Sequence, residues 1–296
     1  MARIPIILNP ASGPERPVLR IFNTAFAAAQ MDWEVFITKR AGEAYTFAQQ
    51  LKEVGAPLVA VYGGDGTLKE VARALAGSEV VLGLLPGGTG NALAVELGVP
   101  RALPQALALL CDPTAQQVRA MDLGQIHAPG SHLFILRASM GLETEVLQST
   151  GRTLKNQLGQ LAYPLTLLQR LSAVPFTRYH LTVDGQTFTA EGIQCTLANS
   201  AQMGVGGLAL AQGVDMADGL LDVIVLKQID WAVLAELATS NFTRADLGLE
   251  IQHWRGRSVT AVAEPPQAVA IGGDMIGVSP VQASVLPGAL RVVMPR

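Results

Sequence analysis

The feature that most constrains this chain is the stretch "VYGGDGTLKEVARAL" at residues 61–75, in which an apolar strand passes through a glycine turn directly into an amphipathic helix. Two further glycine turns follow apolar strands, "NPASG" at 9–13 and "LPGGTGNALA" at 85–94. Over residues 1–125, strands that are apolar on both faces alternate with amphipathic helices, which predicts a parallel sheet covered on both sides. Because the carboxyl ends of parallel strands share one edge, we expect the three turns to meet there.

Turns of this kind expose backbone N–H groups near helix N-termini, where an anionic phosphate is stabilised. Taken alone, the turn around Asp65 has simpler explanations, since it can form a tight hairpin or Asp65 or Thr67 can cap the following helix. Three turns at one edge favour a phosphate site. The chain has no Gly-x-x-x-x-Gly-Lys-Ser/Thr motif and no Gly-x-Gly-x-x-Gly after its first strand, which excludes a P-loop and the common dinucleotide-binding motif.

The second half of the chain has a different pattern. Its strands are rich in β-branched residues and are separated by turns such as Asp184-Gly185, which predicts an antiparallel β domain. Two helical segments interrupt it, "LGQLAYPLTLLQRLSAV" and "WAVLAELATSNF". We therefore predict two domains, 1–125 and 126–296, divided near the turn-rich "HAPGS".

Composition excludes several classes of partner and location. The 296 residues carry a net charge of -3 and only 15% charged side chains, without a Lys/Arg run, so we expect no nucleic-acid partner. No apolar stretch is long enough for a transmembrane segment, and the N-terminus lacks the apolar region of a signal peptide. Cys111 and Cys195 lie far apart without metal-ligand spacing and are interpreted as buried free thiols. These features predict a cytoplasmic protein.

Six motifs occur in a fixed order along the chain. In the first half they are "NPASG", "GGDGTLKEV" and "LPGGTGNALA"; later come "MDLG" at 121–124, "MADGLLD" at 216–222 and the final "LPGALRVVMP". In this order they resemble the diacylglycerol kinase catalytic family, which includes bacterial lipid kinases and sphingosine kinases and has NAD kinases as distant relatives. The resemblance implies an N-terminal three-layer α/β nucleotide-binding domain, a C-terminal antiparallel β-sandwich domain, and transfer of the γ-phosphate of ATP to a lipid hydroxyl.

The resemblance also implies the residues of the site. Asp65 would act catalytically, through Mg²⁺ or by polarising the attacking hydroxyl, and ATP and Mg²⁺ are the implied cofactors. Asp218, with Asp215 and the carbonyl of Leu220, would bind a second, structural Mg²⁺; the alternative is an Asp-Gly turn leading into a strand. The implied nucleotide-binding residues are Asn9, Thr38, Gly63, Gly64, Asp65, Gly66, Thr67, Gly87, Gly88, Thr89 and Asn91.

One motif departs from the family pattern. The family's general base is usually the glutamate of an Ile/Val-Asp-Gly-Glu motif, whereas this chain has Ile271-Gly272-Gly273-Asp274. Asp274 keeps a carboxylate that is one methylene shorter, and a misplacement of about 1 Å can cost on the order of 100-fold in rate. We predict that Asp274 is the catalytic base; the alternative is a turn aspartate in a β-hairpin.

The leading hypothesis is therefore an ATP- and Mg²⁺-dependent lipid kinase of the cytoplasm. It would meet its lipid substrate at a membrane surface by transient peripheral contact, and a homodimer is left open. One alternative keeps the fold but phosphorylates a soluble acceptor, as NAD kinases do. Another is a non-catalytic nucleotide- or lipid-binding relative that has lost its base, which the departure at Gly272 and Asp274 keeps open.

Overall fold

The computed structural model divides the chain into two compact units, Met1–Asp122 together with Gly288–Arg296, and Leu123–Pro287. The predicted helical segments at 158–174 and 231–242 lie outside the residues that the structure describes. None of the helices within the described ranges has both the length and the hydropathy that spanning a bilayer requires. The structure describes residues 3–127, 130–149, 176–200, 211–228 and 250–296.

Strands and helices alternate in the first unit, as the sequence predicts. Its strands are β1 (Ile4–Leu8), β2 (Trp33–Ile37), β3 (Leu58–Gly63) and β4 (Val81–Pro86). Its helices are α1 (Val18–Ala28), α2 (Glu43–Glu53), α3 (Asp65–Leu75), α4 (Ala92–Glu96) and α5 (Leu103–Cys111).

Strands dominate the described part of the chain after α5. They are β5 (Gln116–Ile126), β6 (His132–Phe134), β7 (Arg137–Gly141), β8 (Thr177–Val183), β9 (Gln186–Gly192), β10 (Gln194–Ala198), β11 (Leu221–Gln228), β12 (Glu250–Gly256), β13 (Ser258–Glu264), β14 (Ala268–Ile271), β15 (Asp274–Val278) and β16 (Val281–Pro295). A helix, α6 (Leu142–Ser149), follows β7 directly.

The first unit contains a parallel sheet in the order β2-β1-β3-β4. The chain moves one way from β1 to β2 and the opposite way from β2 through β3 to β4. Because crossovers between parallel strands are right-handed, α1 covers one face and α2 and α3 cover the other. Consistent with this, α1 packs on α5 and α2 packs on α3. The unit is a three-layer α/β domain whose strand order reverses between β1 and β3, the position at which such sheets bind ligands.

An aromatic cluster fixes α1 against this sheet. Phe22 and Phe26 lie four positions apart on one face of the helix and are fully buried. The ring centroid of Phe22 is 5.8 Å from that of Trp33 and 6.0 Å from that of Tyr62, and Phe26 stacks on Trp33 at 5.9 Å. Since Tyr62 lies near the carboxyl end of β3, the core of the unit extends to the edge where the glycine turns begin.

The last strand returns to the first unit. Arg291 and Val292 of β16 pair in parallel with Val81 and Leu82 of β4. The sequence-based division assigned all of 126–296 to the second domain, because nothing in a single strand pattern shows which sheet the strand joins. The contacts instead place Gly288–Arg296 with the first unit.

The second unit is a sandwich of two antiparallel sheets, as predicted. One sheet contains β13, β8 and β9 beside the first part of β16, and the other has the order β12-β11-β10-β7-β14-β15. Alternate residues of β8 are buried, Tyr179 and Leu181 among them, and they share a core with Leu197 of β10 and Val223 of β11. Cys195 is buried in the same core, whereas Cys111 of the first unit is only partly buried.

Candidate functional site

The three glycine turns of the first unit meet backbone to backbone. The Gly87 N–H donates to the Gly63 carbonyl oxygen at 2.9 Å, which joins the second and third turns. A Cβ on Gly88 would lie 2.5 Å from the Gly64 Cα, and one on Gly13 would overlap the Gly87 carbonyl oxygen. These approaches leave no room for a side chain, so the close contact of the three turns requires glycine.

Side chains from the first turn brace the second. Asn9 follows β1, and its Nδ2 donates to the Thr67 Oγ1 at 2.8 Å. The Gly64 N–H donates to the Ser12 Oγ at 3.2 Å. Thr67 is buried and packs against Gly63, where a Cβ would lie 2.7 Å from the Thr67 Cβ. The turns after β1 and β3 therefore form one hydrogen-bonded unit at the point where the strand order reverses.

The third turn is held by its own asparagine. Asn91 is buried with a left-handed φ of 52°, a conformation that asparagine tolerates better than most residues. Its Oδ1 accepts the Gly88 N–H at 2.9 Å and its Nδ2 donates to the Gly88 carbonyl oxygen at 2.7 Å. Arg101 Nη2 donates to the Thr89 carbonyl oxygen at 3.0 Å, which brings a positive charge to the exposed part of this turn.

Helix α3 begins in the middle of this arrangement. Its N-cap residue is Gly64, which has no side chain to cap the helix. The two following residues, Asp65 and Gly66, are exposed. The first N–H groups of a helix carry partial positive charge, so this end of α3 can bind an anion.

Asp65 connects the second turn to the third. Its Oδ1 accepts the Ala92 N–H at 2.7 Å, at the start of α4, and a Cβ on Gly90 would lie 2.6 Å from its Oδ2. The sequence left open that Asp65 caps the helix that follows it. In the structure Asp65 instead bonds to the first residue of α4, which no local pattern indicates.

Thr38 stands at the same edge of the sheet. It follows β2, is buried, and both its N–H (2.9 Å) and its Oγ1 (3.4 Å) donate to the carbonyl oxygen of Leu8 at the end of β1. The residues of the first unit that the sequence predicts for nucleotide binding therefore come from strand ends, from the turns that follow them or from the start of α3.

Asp274 lies in the second unit, in the hairpin of β14 and β15. Ile271 and Asp274 face each other across a two-residue turn formed by Gly272 and Gly273, whose φ values are 56° and 92°. Asp274 is exposed at the start of β15. The aspartate that the family usually has at the position of Gly272 tolerates the same left-handed φ, so the departure at Gly272 does not require a different turn.

The geometry around the predicted structural metal ligands is that of two hydrogen-bonded aspartate turns. Asp215 Oδ1 accepts the Ala217 N–H at 3.0 Å and Asp218 Oδ1 accepts the Leu220 N–H at 3.0 Å. Asp218 Oδ2 pairs with the Arg255 guanidinium. Within the described residues, no group of three or more His, Cys, Asp or Glu side chains is arranged to hold a metal ion. The Arg255 guanidinium occupies one Asp218 oxygen and places a positive charge beside it, and the described residues offer no group of three such side chains, so the residues present do not fit a divalent cation there.

The chain is therefore a two-domain protein, in which a parallel-sheet domain with glycine turns at its switch point is followed by a β-sandwich. Family profiles agree with this organisation. The diacylglycerol kinase catalytic domain matches residues 3–126, and the YegS C-terminal NAD kinase beta sandwich-like domain matches 137–294. The chain belongs to the diacylglycerol kinase catalytic family, in its YegS-like lipid kinase branch.

Relatives that align with most of this chain support the assignment. Two proteins named "Probable lipid kinase YegS-like" are each 34% identical, one from Pseudomonas fluorescens over 90% of this chain and 87% of its own length, and one from Pseudomonas aeruginosa over 88% and 84%. An uncharacterised Synechocystis protein is 31% identical over 88% of this chain, which spans only 61% of that relative.

A solved structure shows the same fold. The crystal structure of a diacylglycerol kinase from Bacillus anthracis superposes with a TM-score of 0.75 at 22% identity, covering 99% of this chain and 97% of that one.

Sequence reasoning missed three contributors to the first-unit site. Ser12 lies inside the quoted "NPASG" motif, so its small hydroxyl was an available signal. Tyr62 supports the third turn, because a Cβ on Gly87 would lie 2.8 Å from its ring. Arg101 reaches back twelve residues to Thr89, and nothing in the sequence around it marks that contact.

Proposed function

We propose that this protein is a lipid kinase that transfers the γ-phosphate of ATP to a lipid hydroxyl with the help of Mg²⁺. The observation that carries the proposal is the meeting of three glycine turns at the switch point of the sheet, beside the start of α3. Membership of the diacylglycerol kinase family and the lipid kinase names of the relatives support it.

The first turn of α3 supplies the donors for phosphate oxygens. Gly66 is exposed and a Cβ there would meet nothing within 4 Å in the described residues, so a phosphate can approach the backbone closely at the positive end of α3. Holding and orienting the phosphates is most of what phosphoryl transfer requires from a protein. The residues that contact the phosphates or shape the pocket in this proposal are Asn9, Thr38, Gly63, Gly64, Asp65, Gly66, Thr67, Gly87, Gly88, Thr89 and Asn91.

Asp65 is the acid of the first unit in this proposal. When bound, ATP supplies the phosphoryl group and Mg²⁺ neutralises charge on its oxygens. Asp65 is exposed, and one of its oxygens is fixed by the Ala92 N–H, which orients the carboxylate. It holds the Mg²⁺ or polarises the acceptor hydroxyl, and either role requires its negative charge.

Asp274 takes the proton from the lipid hydroxyl. This role is carried over from the family motif at residues 271–274, and the exposure of Asp274 beside a glycine turn is compatible with it. General-base catalysis contributes typically about 10²–10⁴-fold. No step is assigned to Asp215, Asp218 or Leu220.

The family supports a lipid as the acceptor in this proposal. The relatives carry the names of lipid kinases, and a lipid hydroxyl must be reached at a membrane surface from the aqueous side. Transient peripheral contact in the cytoplasm is therefore part of the proposal, and a homodimer stays a prediction.

The test is phosphate transfer from labelled ATP with Mg²⁺ to a panel of lipid hydroxyls in mixed micelles. The panel holds diacylglycerol, phosphatidylglycerol, a sphingoid base and a polyprenol, with NAD as the soluble acceptor and Asp65→Asn as the blank. We expect transfer to one lipid that the variant lacks. Transfer to NAD alone would replace the lipid acceptor with a soluble one, and binding of ATP without transfer to any acceptor would favour the non-catalytic alternative.

A further inference from the structure

The second unit contains an ion-pair network that the proposed reaction does not use. The Arg255 guanidinium bridges two carboxylates, its Nε at 3.1 Å from the Asp222 Oδ1 and its Nη2 against the Asp218 Oδ2. The same Asp222 oxygen is 2.6 Å from the His253 Nε2. The Asp222 side chain is fully buried, whereas those of Asp218 and Arg255 are 25% and 38% exposed.

Sheet register fixes this network. Asp222 of β11 lies directly opposite Arg255 of β12, and Ile224 lies opposite His253. Residues two apart on a strand share a face, so His253 and Arg255 project on the same side as Asp222. A shift of β12 by one residue would turn His253 and Arg255 to the face opposite Asp222. The arginine is therefore placed beside the two carboxylates by the fold itself.

A buried carboxylate requires a partner, because an isolated charge away from water is strongly unfavourable. Arg255 provides that partner for Asp222 and, with its other nitrogen, for Asp218. A divalent cation at Asp218 would have to displace a guanidinium that Asp222 holds in place, and it would lie next to a positive charge. The Leu220 N–H occupies one acceptor position of the other Asp218 oxygen, Oδ1, and no group of three His, Cys, Asp or Glu side chains lies around it in the described residues.

We propose that Arg255 is the resident counter-ion of the Asp218–Asp222 carboxylates, so that the second unit folds without a divalent cation at this turn. The inference is independent of the proposed kinase activity. Its measurements contain no nucleotide and no lipid, so a failed kinase assay leaves it unaffected.

The first experiment measures the unfolding temperature of the full chain in EDTA and in MgCl2 at millimolar concentration. A ligand that binds the native state raises this temperature. We expect the two values for the wild type to agree within about 1 °C, the effect of a small fraction of a kcal/mol. A rise with Mg²⁺ that Asp218→Asn abolishes would overturn the proposal, whereas a rise that persists in Asp218→Asn arises elsewhere and agrees with it.

The second experiment replaces the counter-ion. Arg255→Gln leaves Asp222 buried without its cation, and we expect the unfolding temperature to fall by at least about 5 °C. The matched control is Arg178→Gln, which breaks an ion pair with Glu191 whose partners are both 55% exposed and is expected to shift the temperature by about 2 °C or less. Equal stability of Arg255→Gln and Arg178→Gln would contradict the proposal. Partners in one ion-pair network are not additive. The proposal would therefore also be contradicted if Arg255→Gln lowered the unfolding temperature equally in the wild type and in Asp218→Asn. If Arg255→Gln does not fold, the metal titration of the wild type decides.

Discussion

The two units use acidic residues in different ways. In the first unit Asp65 lies among glycine turns whose backbones meet, and it remains exposed. In the second unit Asp222 is buried and its charge is matched by Arg255 from the neighbouring strand. The first arrangement leaves its acid exposed to a ligand, whereas the second provides its buried acid with a cation from the chain itself. We therefore expect cation binding at Asp65 and not at the Asp218–Asp222 pair.

The largest expected effect tests the first half of this comparison. Asp65→Asn should lower the rate of phosphate transfer by roughly 100-fold or more, because the amide cannot hold Mg²⁺ or accept charge as the carboxylate does. The amide oxygen can still accept the Ala92 N–H, so the unfolding temperature should stay within about 1 °C of the wild type. Initial rates with labelled ATP and calorimetric unfolding are the measurements.

The matched control is Asp112→Asn. Asp112 is another exposed aspartate of the first unit whose carboxylate accepts a backbone N–H, that of Thr114 at 2.8 Å. Its variant should transfer phosphate at the wild-type rate. Wild-type activity in Asp65→Asn would show that Asp65 has no role in the reaction and only connects the two turns structurally.

The next largest effect on the rate is expected at Asp274, in the motif that departs from the family pattern. Asp274→Asn should lower transfer by about 100-fold at saturating ATP, because the exposed side chain then has no basic oxygen, and stability should be unchanged within about 0.5 kcal/mol. Asp274→Glu restores the glutamate that the family usually has, and its rate shows whether the site accepts the longer side chain. We expect this variant to lose less than Asp274→Asn does. A loss as large would indicate a site built around aspartate, and wild-type activity in Asp274→Asn would show that Asp274 is not the base.

The meeting of the glycine turns at one edge of the sheet could be predicted, because glycines at strand ends indicate turns in which backbones can approach closely. Glycines at strand ends and the alternation of strands and helices were enough to place Asn9, Gly64 and Gly88 at one edge. The sandwich was predictable from β-branched strands and turns. The pairing of Asp222 with Arg255 was not, since it depends on the register of two strands separated by more than twenty residues. The return of β16 to β4 was missed for the same reason.

The third prediction compares two glycines within the first-unit site. Gly88→Ala places a Cβ 2.5 Å from the Gly64 Cα, so we expect a loss of about 1–3 kcal/mol in the free energy of unfolding. A Cβ on Gly66 would meet no atom of the described residues within 4 Å, and Gly66 lies in the first turn of α3. Gly66→Ala should therefore unfold at the wild-type temperature or slightly above it.

Nucleotide affinity separates glycines that are needed for packing of the turns from a glycine that is needed for phosphate binding. If phosphate lies against the start of α3, Gly66→Ala weakens ATP binding without loss of stability, which titration calorimetry measures. Unchanged affinity in Gly66→Ala together with unchanged stability would place the nucleotide away from this turn, and a stable Gly88→Ala would show that the turns do not meet as closely as 2.5 Å implies.

The smallest expected effect is on stability, and it adds a third aspartate, Asp184, to the comparison of Asp65 with Asp222. The sequence correctly predicts a turn at Asp184. Asp184, with a φ of 47°, precedes Gly185 in the tight turn between β8 and β9. Its Oδ1 accepts the backbone N–H groups of Arg257 and Ser258 at 3.0 and 2.9 Å. These donors hold the pKa of Asp184 below its usual value, with the Arg257 N–H as the largest cause.

A lowered folded-state pKa stabilises the protein above the unfolded value near 3.9, and that stability is lost as pH falls through the folded pKa. Asp184→Asn keeps the left-handed turn, because asparagine adopts it readily, but it loses the charge. The variant should unfold about 1–2 °C below the wild type at pH 7, since an exposed group is screened by solvent. The gap should close as the pH falls from about 4 through the folded-state pKa. A gap that stays constant over that range would mean that the hydrogen bonds stabilise the turn without any contribution from the charge of Asp184.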